Sequence, residues 1–166
     1  MLHFDHKGYL VPDKNIECKF KDFKATFVEM MPHEQRKLLY KGLIKFLQDL
    51  MIATNREEIL TWINGSFTTK KENPNDIDIV YFLEHSVAQV HEPILFERFS
   101  YPETLTAYGV DAYLVKLFPE NHLHHLRTQS DRLYWISKFS RTRKNRRGTA
   151  FRKGFLEINI RRHEIE

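Results

Sequence analysis

The sequence has one cysteine, few residues that break regular structure, and no long apolar run. Because Cys18 has no second cysteine to pair with, an intramolecular disulfide is excluded and a reducing compartment is expected. No apolar stretch approaches the roughly 18 residues that a membrane helix needs, and the polar segment 1–14 is unlike a secretory signal. Six glycines and six prolines form no linker-like cluster. We therefore expect a cytoplasmic protein with a single domain over residues 1–166 and no membrane partner.

Positive charge is concentrated in one part of the chain. Eight of the 26 Lys and Arg residues lie in the segment 138–153, which contains no Asp or Glu. Removing these eight from the total leaves 18 basic residues against 22 acidic ones, a net charge of −4. A basic segment on a mildly acidic domain commonly contacts phosphate groups, as in RNA or a nucleotide. A solvated loop is the alternative that these residues leave open.

Hydrophobic periodicity predicts alternating helices and strands. The clearest helix spans 33–52, where apolar residues from Leu39 to Leu50 recur at three- and four-residue steps. Further helices are predicted over 22–28, 86–100 (bounded or kinked by Pro93) and 120–139. Strands are predicted over 59–64, 77–83, 110–115 and 154–160. This order predicts an α/β (α+β) fold, a small mixed β-sheet packed with helices.

The helix predicted over 120–139 carries apolar residues that we expect to face inward: Leu123, Leu126, Leu133 and Ile136. It begins with three histidines in the sequence NHLHHL: His122, His124 and His125. Histidines three residues apart share a helix face, which is one arrangement for zinc. The motif has no acidic or cysteine companion, so ordinary helix histidines are the alternative.

The stretch WINGSFTTKKENPNDIDIVYFL, residues 62–83, breaks an apolar run with Gly65 and Ser66. A Gly-Ser turn after a strand exposes backbone N–H groups and a hydroxyl, which suit phosphate oxygens. Glycine is required there because a side chain would keep the ligand from the backbone. We expect Ser66 to begin a short helix.

Three aspartates follow this turn. Asp76 and Asp78 are one residue apart at the start of a predicted strand, so both carboxylates point to the same face. Asp111 lies within the apolar strand 110–115, where a charge is costly unless it is paired or binds a metal. Mg²⁺ prefers such oxygen ligands and often joins carboxylates to substrate phosphates. Surface charge, or a hydrogen-bonded core aspartate, is the alternative for each residue alone.

Four segments together resemble a small bacterial branch of minimal nucleotidyltransferase-like proteins: GYLVP (8–12), GSFTTKKENPNDIDIV (65–80), YWISKFSRTR (134–143) and RKGFLEI (152–158). The central pattern, GSF…DID followed by VDAYLV, is similar to the signature of the nucleotidyltransferase-like superfamily, which has the DNA polymerase β-type fold. The resemblance spans nearly the whole chain and is most specific at the central motif. It implies the minimal nucleotidyltransferase fold.

The resemblance also implies a site. Gly65 and Ser66 would bind the phosphates of an NTP such as ATP, while Asp76, Asp78 and Asp111 would be catalytic and would bind one or two Mg²⁺ ions. Many minimal nucleotidyltransferases have Arg and Gly shortly after Gly-Ser, whereas this chain has a more basic loop. Lys71 would then replace the missing arginine as a phosphate clamp, with a solvated loop as the alternative.

The activity implied by the resemblance is transfer of a nucleoside monophosphate from an NTP to a hydroxyl of RNA, such as tRNA, or of a protein. By analogy with small proteins of this fold, the setting would be a toxin–antitoxin or phage-defence system. The alternative is a non-catalytic nucleotide- or RNA-binding module on the same fold. A purely scaffolding role leaves the three aspartates unexplained.

Overall fold

A computed structural model of the chain describes residues 2–166, in which a five-stranded mixed sheet is packed with helices. This confirms the predicted fold class. Along the chain the strands are β1 (His3–Phe4), β2 (Leu10–Val11), β3 (Asn15–Glu17), β4 (Glu58–Asn64), β5 (Ile77–Glu84), β6 (Val110–Leu117) and β7 (Phe155–Arg161). The helices are α1 (Phe20–Lys24), α2 (Glu34–Thr54), α3 (His85–Val90), α4 (Glu92–Arg98), α5 (Glu103–Tyr108) and α6 (His125–Phe139). A π-helix (Ala25–Glu29) continues α1, and a 3₁₀ turn (Arg162–Glu164) follows β7.

The main sheet has the strand order β3-β7-β4-β5-β6. The two outer pairs, β3 with β7 and β5 with β6, are parallel, while β4 runs antiparallel to both of its neighbours. A separate two-stranded sheet joins β1 and β2. The parallel pairing of β5 and β6 brings the amino-terminal ends of these two strands side by side.

Strand β5 is apolar on both faces, as predicted, and therefore takes part in two cores. Ile77, Ile79, Tyr81 and Leu83 pack in the larger core, which includes the apolar stripe of α2. Val80 and Phe82 point to the other face, where a smaller core also contains Trp62, Phe139 and Phe155. Helix α6 covers this second face.

The inward orientation predicted along the last long helix was wrong for its three leucines and right for Ile136, which packs against the smaller core. Leu123, Leu126 and Leu133 are 88%, 72% and 67% exposed, Ile136 is half-buried, and α6 begins only at His125. The face that meets the sheet instead carries Thr128, Arg132, Trp135 and Phe139, which recur at helical spacing. The Arg132 guanidinium lies 5.4 Å from the Trp62 ring centroid. Arg132 therefore covers an aromatic ring at a position where the hydrophobic pattern of the helix would predict a leucine.

The region after β5 contains more helices than the sequence pattern indicates. Pro93 interrupts the segment 86–100 as predicted, since α3 ends at Val90 and Pro93 lies in the first turn of α4. Helix α5 was not predicted, and neither was the pairing of β1 with β2. In residues 2–166 no helix has the length and apolar character needed to cross a membrane.

Candidate functional site

One row of polar side chains crosses three neighbouring strands at the edge of the sheet. Asp78 is the register partner of Asn64 on β4 and of Asp111 on β6. Register partners point to the same face of a sheet, so these three side chains lie in line on the α6 face. Asp76 precedes β5 and is half-exposed. The sequence-predicted aspartates thus gather at one end of β5 and β6.

The Gly65 turn lies directly against Asp78. Gly65 has φ +85°, and a Cβ atom placed on it would lie 1.9 Å from Asp78 Oδ2. Two constraints therefore exclude other residues here, the left-handed backbone and the space that the carboxylate occupies. The predicted helix at Ser66 was wrong, because residues 65–70 form turns. Thr69 supplies the reason, since its hydroxyl donates to the Ser66 carbonyl at 2.7 Å and its N–H at 3.3 Å.

The carboxylates of this row destabilise one another in their charged forms. Burial raises the pKa of Asp78 to about 6, and the charges of Asp76 and Asp111 add to the effect. Burial also raises the pKa of Asp111 above its ordinary value, against the opposing effect of the Tyr113 hydroxyl. One oxygen of Asp111, Oδ1, is buried and has no hydrogen-bond partner within residues 2–166. A buried oxygen without a donor is costly, and a cation beside it would remove the cost.

Lys153 is a site residue that the sequence places in the basic segment 138–153 but to which it assigns no role. It is 5% exposed, and its Nζ donates to Asn64 Oδ1 at 2.5 Å and to the Gly65 carbonyl at 3.1 Å. Burial lowers the pKa of Lys153 to about 8, while the nearby Asp78 charge favours the protonated form. The ammonium therefore links the glycine turn to the carboxylate row. The only sequence signal for it was the RKG motif, where a lysine precedes the glycine of the last strand.

Arg36 is a second residue that sequence reasoning missed. It is fully buried, and its guanidinium donates to the carbonyls of Phe27 (3.2 Å), Phe67 (2.8 Å), Thr69 (2.7 Å) and Lys71. These bonds fix the loop that follows the Gly65 turn. The available signal in the sequence was the position of Arg36 on the apolar face of α2, because a charged side chain that is buried there needs hydrogen-bond partners.

Lys71, the predicted phosphate clamp, is exposed on this loop. It borders an apolar cavity of about 530 Å³ that is also lined by Phe4, Met30 and Arg36. The cations beside Asp78 are instead Lys153 and Arg143, whose guanidinium lies 3.9 Å from Asp78 Oδ1. The structure thus brings Gly65, Asp78 and Asp111 together, with positive charge supplied by the chain end.

The residues present fit a divalent cation in charge and in donor type. Carboxylate oxygens are the ligands that Mg²⁺ prefers, and Asp111 Oδ1 lacks a donor. Burial, with the charges of Asp76 and Asp111, raises the pKa of Asp78, so its carboxylate is poorly compensated. Among residues 2–166, however, no three His, Cys, Asp or Glu side chains are grouped closely enough to hold a metal ion. The row therefore provides two adjacent carboxylates, with Asp76 further out.

The histidine motif lies at the other end of the sheet. His122 packs between His85 and Phe118, with ring centroids 4.6 and 4.8 Å away, and its Nδ1 accepts the His124 N–H at 3.0 Å. His122 precedes α6, which begins at His125, so these two histidines do not share a helix face as predicted. The aromatic packing and the backbone hydrogen bond account for these side chains in structural terms.

Comparison with known proteins gives one match. The model of DUF6932, described as a family of unknown function, matches residues 2–159. Neither the curated proteins nor the solved structures contain a match to this chain. The matched region covers nearly all of the sequence, including the carboxylate row, the Gly65 turn and the Lys153 contact. The chain therefore belongs to the DUF6932 family of unknown function.

Proposed function

We propose that this chain is a Mg²⁺-dependent nucleotidyltransferase that moves a nucleoside monophosphate from an NTP to a hydroxyl of RNA or protein. The observation that carries the proposal is the row formed by Asp78 and Asp111 beside the Gly65 turn, with one Asp111 oxygen lacking a donor. Catalysis of this kind depends mainly on positioning and electrostatic stabilisation, for which carboxylates, a phosphate-binding turn and nearby cations suffice.

In the proposed reaction the acceptor oxygen attacks the α-phosphorus and forms a new P–O bond. The bond to the bridging oxygen of the β-phosphate breaks, and pyrophosphate leaves. Asp111, the register partner of Asp78, accepts the proton of the acceptor hydroxyl as the new P–O bond forms. Asp78 and Asp111, with Asp76 beyond them, would hold Mg²⁺, which would supply positive charge against the triphosphate.

The chain supplies the remaining functions itself. The Gly65 turn, held by Lys153, presents backbone close to Asp78 with no side chain in the way. Arg143 lies on the exposed side of Asp78, where its guanidinium can pair with phosphate oxygens of the departing pyrophosphate. Arg36 fixes the loop that leads from the turn back to β5.

A second candidate is a nucleotide- or RNA-binding module without turnover. It is favoured by the absence, within residues 2–166, of a three-carboxylate group already arranged for metal, and by two cations beside Asp78. Calorimetry with each NTP, with and without Mg²⁺, separates the candidates when it is paired with a pyrophosphate-release assay. The enzyme requires Mg²⁺-dependent release of pyrophosphate in the presence of acceptor, whereas tight binding with no release at any acceptor supports the module.

A further inference from the structure

Residues 141–152 form an ordered hairpin between α6 and β7. Arg141 and Arg152 are bridge partners, the Thr142 N–H donates to the Phe151 carbonyl at 2.8 Å, and the Asn145 N–H donates to the Thr149 carbonyl at 2.9 Å. The tip is closed by Asn145, whose Oδ1 accepts N–H groups from Arg147 and Thr149 at 2.9 and 3.0 Å. The basic segment is therefore a defined element, which we call the basic hairpin.

Most cations of the basic hairpin have no internal partner. Arg152 pairs with Asp13 at 3.1 Å, and Arg143 lies 3.9 Å from Asp78. The other four, within the described chain 2–166, have no carboxylate within 4.0 Å: Arg141, Lys144, Arg146 and Arg147. All four are exposed. Their charge is left for an external anion.

The base of the basic hairpin is held against the amino-terminal sheet and the carboxylate row. Phe151 stacks on Tyr9 with ring centroids 6.1 Å apart, and Lys7 Nζ lies 3.6 Å from the Phe151 ring centroid. Lys153, directly after the hairpin, contacts the Gly65 turn. Three of the unpaired cations, Lys144, Arg146 and Arg147, follow Arg143 within four residues, so they lie within roughly 13 Å of it at the rise of an extended chain.

We propose that the basic hairpin binds the phosphodiester backbone of a single-stranded RNA whose terminal hydroxyl is the acceptor at Asp78 and Asp111. The acceptor role rests on the proposed function, whereas the binding does not. Five of the six hairpin cations are arginines, whose planar donor forks match phosphate oxygens. A nucleic-acid strand carries one anion per residue, so a short strand meets all four unpaired cations.

The charge of the remaining chain favours a narrow contact. Outside residues 138–153 the protein has a net charge of −4, so a polyanion is attracted to this segment and, on average, repelled by the rest of the protein. A single strand can follow such a strip, while a duplex would present its second strand to the acidic body. The hairpin's own cations contact backbone rather than base edges, and binding is therefore expected to depend little on sequence.

The test is fluorescence anisotropy with a labelled 12-nucleotide single-stranded RNA, measured without NTP at 50 and 200 mM salt. The tip variant combines Lys144→Ala, Arg146→Ala and Arg147→Ala, and the matched control combines Lys19→Ala, Lys21→Ala and Lys41→Ala. Both remove three positive charges from exposed positions. The tip variant should bind about tenfold more weakly at 50 mM salt, with a slope of log K against log salt smaller by about 2, since each single-strand phosphate contact contributes about 0.7.

Equal weakening in the two variants would overturn the assignment, because it would mean that only net charge matters. So would tighter binding of a DNA strand of the same sequence, or displacement of the RNA by an acidic peptide at equal charge concentration. The two proposals fail separately. Hairpin-dependent RNA binding without nucleotide transfer leaves the surface assigned and removes the proposed function, while transfer to RNA that is insensitive to the tip substitutions does the reverse.

Discussion

The Gly65 turn packs against Asp78 with no room for a side chain, and alanine substitution at Gly65 tests this arrangement. The residue has φ +85°, and its Cβ would lie 1.9 Å from Asp78 Oδ2 and 3.3 Å from the Asp78 nitrogen. The backbone nitrogen cannot move, so the carboxylate must leave its position. Gly65→Ala should therefore damage the carboxylate row as well as strain the turn.

Gly148 provides a matched control. It has φ +74° and no atom within 4 Å of an added Cβ. Gly148→Ala carries only the cost of a left-handed alanine, about 1–2 kcal/mol. Gly65→Ala carries the same cost plus the displacement of Asp78 from its rotamer, about 0.5–1.5 kcal/mol. The expected losses of unfolding free energy are then about 1–2 kcal/mol for Gly148→Ala and about 1.5–3.5 kcal/mol for Gly65→Ala, so Gly65→Ala should be the less stable variant by about 0.5–1.5 kcal/mol.

Urea denaturation of both variants measures these losses, and thermal denaturation with Mg²⁺ and NTP measures ligand binding. The ligand-induced rise in melting temperature should survive in Gly148→Ala and disappear in Gly65→Ala. If the two variants lose the same stability and keep the same ligand response, the reasoning that places the turn against the carboxylate row is refuted.

Three further predictions concern buried charges. Burial raises the pKa of Asp78 to about 6, so the contribution of this residue to stability is complete below pH 3.8 and is lost as the pH rises through 6. In paired urea titrations Asp78→Asn should match the wild type near pH 4 and be about 2 kcal/mol more stable at pH 8. Equal stability of the two proteins at both pH values would contradict this. Lys153→Met should lower the free energy of unfolding by about 1–3 kcal/mol, because Asn64 Oδ1 and the Gly65 carbonyl lose their donor. The control Lys144→Met, at an exposed position, should change it by less than about 0.5 kcal/mol, and similar urea midpoints for the two variants would count against the contact. Arg36→Met should lower the free energy of unfolding by more than about 3 kcal/mol and speed amide hydrogen exchange in the loop 67–71, since four carbonyls lose their donor. Lys37→Met, at an exposed position, is the control, and unchanged exchange in Arg36→Met would contradict the role of Arg36.

Strands β4 to β7 could be predicted because their apolar runs are bounded by polar residues, whereas β1, β2 and β3 are too short to show such a pattern. The run Ile77–Glu84 is apolar on both faces, which matches a central strand with two cores. The parallel pairing of β3 with β7 could not be predicted, since β3 has only three residues and its partner lies about 140 positions away. Pairing over such a distance depends on the whole fold and leaves no local pattern.

Helix α6 shows where periodicity misleads. Its leucines recur at positions that would suit a buried face, but the sheet below carries Trp62 and Phe82, and Arg132 covers both rings at 5.4 Å. Leu126 and Leu133 are turned to the outside as a result. Sequence patterns give the period of a helix, while the surface that it covers decides which face is buried.

The site could be predicted where the position of a residue in its strand also fixes its partner on the next strand. Asp78 and Asp111 could be placed together because each sits at the second position of a predicted strand, and the parallel register makes them partners. Lys153 and Arg36 could not be placed, because their partners are mostly backbone carbonyls or residues about 30 to 90 positions away. Every residue has a backbone carbonyl, so a contact to a carbonyl cannot be recognised from residue types in the sequence.

The central claim, nucleotide transfer at the Asp78–Asp111 pair, is tested most directly by label transfer. The protein is incubated with Mg²⁺, single-stranded RNA or cell lysate, and each NTP labelled either at the α- or at the γ-phosphate. We expect the α-label and not the γ-label to become attached to a macromolecule. Asp78→Asn and Asp111→Asn should each abolish the attachment, whereas the matched control substituted at Lys19, Lys21 and Lys41 should keep it. Attachment that is equally strong in the two aspartate variants, or no attachment from any NTP by the wild type, would contradict the central claim.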